Sequence, residues 1–216
     1  MTFRIIALLA LASGQLPCAP AVAVYYSFDQ PPARSLVAAM QVEFARIFTT
    51  AGFEPAGVPV EWRAIGDPED GNFADIFVVR FRGSCSMETG GKPEPALKTS
   101  ERALARTSVT DGRVLPFAEV ECDLLRRYLS PGFRIGAEGE FTMARALARV
   151  TAHEIYHMLT GSVRHCAHGI GQAEFSPRDL TADRFVFGAN ESAWLRNKSA
   201  SLSSGLDMRQ SAVYMP

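Results

Sequence analysis

Charge of either sign is not in excess in this 216-residue chain: 22 Lys and Arg stand against 23 Asp and Glu, a formal net charge of -1. That balance removes the electrostatic case for a nucleic-acid partner or an anionic membrane surface. Long apolar runs are lacking too. Ile5 to Ala12 is apolar, but it is far shorter than the roughly 20 residues that a membrane-spanning helix needs. Internal repeats and domain linkers are absent, so one well-packed domain is expected from a chain of this length. Cysteine and histidine are both scarce, with four of each. The histidines are not spread out: His153, His157, His165 and His168 fall within sixteen residues. A random distribution would rarely place them so.

What is present begins with an export signal. Residues 1–21 read as a secretory signal peptide, with Arg4 as the positive start, the apolar run after it, and Gly14 and Pro17 as breakers. Ala19-Pro20-Ala21 fits the cleavage pattern, with Ala21-Val22-Ala23 as a second candidate. A secreted or periplasmic location is therefore expected. Cleavage would remove Cys18 and leave Cys85, Cys122 and Cys166 in an oxidising compartment. Three single pairings are then open. Cys85 with Cys122 is the favoured one, because Cys166 adjoins the histidine cluster.

Val22 to Phe28 reads as a strand, and Leu36, Met40, Phe44 and Ile47 recur at helical spacing before Gly52. Val58 to Trp62 and Ile76 to Phe81 are two further strands, giving a βαββ start. Residues 83–100 read as a loop. Asp111-Gly112 predicts a two-residue hairpin turn, because both positions must accept positive φ. Asp123 to Leu129 is a short helix and Thr142 to Thr160 a long one, stopped by Gly161. Ser176, Pro177 and Asp179 form a helix-start signature, with the helix expected to run to about Phe187. Domain boundaries at 22–190 are expected, with 191–216 as a Ser-rich C-terminal tail or peripheral arm.

The chemistry concentrates in His153-Glu154-Ile155-Tyr156-His157, an H-E-x-x-H sequence in the last two turns of the long helix. Residues four apart share a helix face, so both imidazoles can reach one metal ion. Glu154 stands where a metal-activated water needs a base. About 0.005 chance matches are expected in a chain of this composition. A catalytic zinc site takes three protein ligands and leaves one position open. The third ligand is open between His165, favoured because Gly161 lets the backbone reverse, and His168 or Glu174. Tyr156 lies off the histidine face and is expected to pack.

The segment from His153 to His165 resembles the metal-binding stretch of small secreted bacterial zincins of metzincin type, in one group of which seven residues also separate the second and third histidines. The resemblance implies an α+β fold: a mixed, twisted sheet of about five strands packed on a helix and an active-site helix. It also implies a zinc-dependent endopeptidase, with His153, His157 and His165 as ligands and Glu154 as general base. The partner it implies is a protein or peptide in extended conformation bound beside an edge strand, and a monomer is expected. The chain departs from the best-known pattern at Thr160 and Val163, where Gly and His are usual. Gly171 stands where the related group carries a methionine beneath the metal. The alternative reading is a catalytically silent zinc-binding or interaction domain on the same fold.

Overall fold

The computed structural model describes residues 21–53, 58–68, 71, 73–86, 103–130 and 136–204. The first strand, β1 (Ala21–Gln30), leads into helix α1 (Arg34–Ala51) and then into strands β2 (Val60–Ala64) and β3 (Phe73–Ser84). β4 (Ala105–Thr110) and β5 (Arg113–Glu121) follow, then helices α2 (Cys122–Leu129), α3 (Ala137–Thr160), α4 (Pro177–Thr181) and α5 (Ala189–Ser203). The expected signal peptide lies outside the described residues except for Ala21, the first residue of β1. Most of the expected loop at 83–100 lies outside them too.

The five strands form one mixed sheet in the order β2-β1-β3-β5-β4. β1 pairs in parallel with β2 and β3, and β3 pairs in parallel with β5. Only the last pair, β4 with β5, is antiparallel. Asp111 (φ 51°) and Gly112 (φ 74°) make its turn, both in the left-handed region that a tight two-residue hairpin requires. This hairpin returns the chain along the sheet's rim, so β4 is an edge strand lying beside α3.

Side chains on a strand alternate between faces. Val22 and Val24 of β1, Phe77, Val79 and Phe81 of β3, and Ala118 and Val120 of β5 are buried. They share one core cluster with Leu36, Met40, Phe44 and Ile47 of α1 and Met143, Leu147 and Val150 of α3. The other face carries ion pairs: Arg80 binds Asp29 at 2.9 Å, and Arg82 reaches Asp29 at 3.3 Å and Glu119 at 3.1 Å. The fold is thus α+β, with a five-stranded mixed sheet packed against helices.

Cys85 and Cys122 are joined in a disulfide, and Cys166 is free. The parallel pairing of Arg82 with Glu121 brings the ends of β3 and β5 together, which places the two cysteines side by side. The bond clamps the start of α2 to the end of β3 and is the kind an oxidising compartment permits. Among the described residues no helix is long and apolar enough to cross a membrane.

Two expectations are corrected. The helix expected from Ser176 to about Phe187 ends at Thr181. Its start is as expected, a capping box between Ser176 and Asp179 with Pro177 in the first turn. Its end is set by arginines on α3. Arg149 donates to the carbonyls of Asp179 and Ala182 at 2.6 Å each, and Arg145 donates to Thr181 at 2.7 Å. These donors satisfy carbonyls that a next helical turn would otherwise need. The stretch 191–216, expected to be a tail or arm, is helical and packed as far as Ser203. Leu195 and Leu202 of α5 are buried, and the Ser199 hydroxyl donates to the Phe53 carbonyl. Small alanines and serines let α5 sit close to its neighbours without a strong apolar stripe. Residues 205–216 lie outside the described residues.

Candidate metal centre

α3 is the helix that positions the site. Gly161 ends it in the left-handed region (φ 60°), with its N–H bonded to the His157 carbonyl. The chain then doubles back and returns His165 to the helix. Its ring centroid lies 5.2 Å from that of His153 and 4.9 Å from that of His157. One ligand nitrogen from each of His153, His157 and His165 falls within 4.8 Å of the others, a grouping that could hold a metal ion. Of the described residues no other group of three such side chains does so. His168 is exposed and outside it. Glu174 is exposed and outside it too, although it lines the same cleft. Cys166, one residue from His165, is not part of it either.

The hydrogen bonds fix which nitrogens face inward. His153 Nδ1 lies 2.7 Å from the Ile170 carbonyl, and His157 Nδ1 lies 2.6 Å from the Ser162 carbonyl. A carbonyl only accepts, so each Nδ1 carries the proton and each Nε2 presents a lone pair. Those two Nε2 atoms are 2.9 Å apart. Two lone pairs at that distance repel unless a cation lies against both. Backbone carbonyls behind the rings are also the supporting partners that orient histidine ligands. Only 6% of His153 and 5% of His157 is exposed. Burial pushes His153 down to about 4 and also lowers His157, so both rings are neutral near pH 7, as a ligand must be. The donor set therefore fits a divalent ion that favours imidazole, zinc among them.

Glu154 points into the same cleft, 5% exposed. Burial raises its carboxyl to about 7, against the lowering effect of a hydrogen bond from Thr107. The Thr107 hydroxyl donates to Glu154 Oε2 at 2.5 Å. Thr107 belongs to β4, so the edge strand is tied directly to the candidate base. The cleft has a volume of about 340 Å³ and runs between β4, α3 and the segment around Phe175.

Beneath the histidines, where a methionine is expected by resemblance, Gly169-Ile170-Gly171 forms a single 3-10 turn. Ile170 is buried, and its N–H donates to the Val186 carbonyl at 3.1 Å. A side chain at Gly171 would sit tightly against the His165 loop, its Cβ 3.2 Å from Cys166 Sγ. The turn serves the site through its backbone, by the carbonyl that holds His153. Phe175 adds an apolar wall, its ring edge-on to His153 at 5.4 Å. Tyr156 packs against Phe187 and Trp194.

Thr107, Ile170 and Phe175 were not singled out by the sequence. Ile170 and Phe175 sit in a stretch without periodicity, and Thr107 lies 47 residues from Glu154. Only the pairing of β4 as the rim strand could have pointed to it. No family model, no curated protein and no solved structure matches the chain.

Proposed function

We propose that the protein is a zinc-dependent endopeptidase of the zincin type. The carrying observation is the convergence of His153, His157 and His165, with two lone-pair nitrogens turned toward each other. These three residues would hold the ion. When bound, zinc supplies the Lewis acidity that activates a water and polarises a carbonyl. The rest falls to the chain itself. Glu154 takes the proton from the attacking water and passes it to the leaving amine. Thr107 holds Oε2 of that carboxylate, which leaves Oε1 free to face the water. Among the described residues β4, at the edge of the sheet, has one row of backbone groups without a strand partner, and an extended peptide can add there by strand pairing. The apolar cleft wall at Val150 and Phe175 excludes water from the reacting bond.

Metal content tests the ligand set. His165→Ala is expected to lose stoichiometric zinc, an effect larger than the about 10–100-fold affinity loss typical of a supporting partner. His168→Ala is expected to keep one zinc per chain by elemental analysis. Retained zinc in His165→Ala would reject His165 as the third ligand. Cleavage of an unfolded protein such as casein, with and without chelator, tests the activity; chelator-resistant cleavage, or none by the zinc-loaded protein, sinks the reading.

Thr107 is a positioning residue with its own test. Thr107→Val keeps the shape and removes the hydroxyl, at a cost of about 1.5–3 kcal/mol for a hydrogen bond to a charged group. A fall in kcat of about tenfold or more, with KM little changed, is expected. Thr107→Ser restores the donor and should restore the rate. An unchanged kcat in Thr107→Val, or no rescue by Ser, argues against the role.

A further inference from the structure

A second carboxylate lines the cleft. Glu174 is exposed there, and among the described residues no hydrogen bond or ion pair engages its carboxylate. Its backbone is nonetheless held on both sides. Its own carbonyl accepts from Gln172 Nε2 at 2.6 Å, and the carbonyl of the next residue, Phe175, accepts from the Tyr128 hydroxyl at 2.8 Å.

The nearest cation in the cleft lining, Arg106, is spent elsewhere. Thr107 points at Glu154, so by strand alternation Arg106 points to the far face. There its guanidinium meets Glu119, and Glu121 at 3.5 Å. With Glu154 engaged by Thr107 beside the histidines, Glu174 is the carboxylate of the cleft lining that no side-chain cation pairs with among the described residues. The remaining wall is largely apolar: Leu104, Val109, Val150, Val163 and Phe175. An apolar wall with one carboxylate suits a side chain built the same way, with a long aliphatic stem and a cationic head.

We infer that the cleft selects peptide segments carrying a lysine or arginine close to the reacting bond, with Glu174 binding the cationic head. The inference rests on the endopeptidase reading and names its substrate class. Glu174 is exposed, so its variants should fold as the parent does.

The test uses the zinc-loaded Glu154→Gln protein, which holds peptide without consuming it. Three fluorescein-labelled ten-residue peptides, identical except for Lys, Gln or Glu at the centre, are titrated by fluorescence anisotropy. The Lys peptide is expected to bind about three- to fivefold tighter than the Gln peptide, the range of a solvent-accessible ion pair. Adding Glu174→Gln should equalise the two, and Glu174→Lys should turn the preference toward the Glu peptide. Equal binding of Lys and Gln peptides, a preference that survives Glu174→Gln, or no binding of any of the three overturns the inference. Casein cleavage by the parent protein is read in parallel. Cleavage with no lysine preference overturns the subsite alone, and a lysine preference with no cleavage overturns the endopeptidase reading alone.

Discussion

Glu154→Gln is expected to slow casein cleavage by about 10²- to 10⁴-fold, the range for losing a positioned general acid–base, while one zinc per chain is retained. Glutamine matches glutamate in size, so the fit against α3 survives. The amide can still accept the Thr107 hydroxyl bond that Oε2 accepts at 2.5 Å. What it lacks is the ability to take and return a proton. Zinc content should hold because Glu154 is not among the three converging ligands. A variant that cleaves as fast as the parent would mean that Glu154 is not the base. A variant that loses its metal would mean that the carboxylate supports the ligands instead.

Arg149→Met is expected to lower unfolding stability by about 3–5 kcal/mol, the cost of removing one partner from a buried ion pair. Arg149 is fully buried. Its guanidinium binds Glu43 at 3.1 Å and the carbonyls of Asp179 and Ala182, so a single side chain joins α1, α3 and α4. Burial pulls its pKa down to about 10 against the opposing pull of Glu43, and it stays charged at neutral pH. Methionine fills similar volume but removes the short Arg149 bonds to two part-buried carbonyls, leaving Ala182 only Arg145 at 3.4 Å. Urea unfolding at pH 7 reads the loss, and a change under 1 kcal/mol would show that the clamp contributes little.

The same pair has a pH signature. Burial raises the Glu43 carboxyl, but hydrogen bonds and charge from Arg46 and Arg149 more than offset this and hold it below its ordinary value. A carboxyl lowered on folding stabilises fully above its unfolded pKa, and that stabilisation fades as pH falls through the folded one. In Arg149→Met this acid-dependent part should shrink. The metal site should feel the change as well. Asp179 accepts from Gln172 Nε2 at 3.2 Å, and Gln172 follows the turn whose Ile170 carbonyl holds His153.

Local order was legible because it repeats along the chain. The spacing of Leu36, Met40, Phe44 and Ile47 marks α1, and Asp111-Gly112 marks the hairpin, since each signal is set by residues about one helical turn apart or within one tight turn. Ends were less legible. α3 begins at Ala137, five residues before the expected Thr142. α4 stops early because Arg145 and Arg149, some thirty residues upstream, take its carbonyls. α5 escaped notice because Leu195 and Leu202 are seven apart amid small residues.

By itself the sequence determined the two histidines and the glutamate on one stretch of helix, because an i, i+4 pair needs only local geometry. It also determined where that helix ends, because Gly161 accepts the left-handed conformation at no steric cost. The tertiary structure decided what surrounds them. It brought His165, and neither His168 nor Glu174, into the group with His153 and His157. It put a carbonyl behind each buried imidazole and set Thr107 against Glu154 across 47 residues. Those contacts depend on β4 pairing at the sheet's rim and on the fold of the segment after Gly161. Such pairings between distant residues leave no periodic trace in a single sequence.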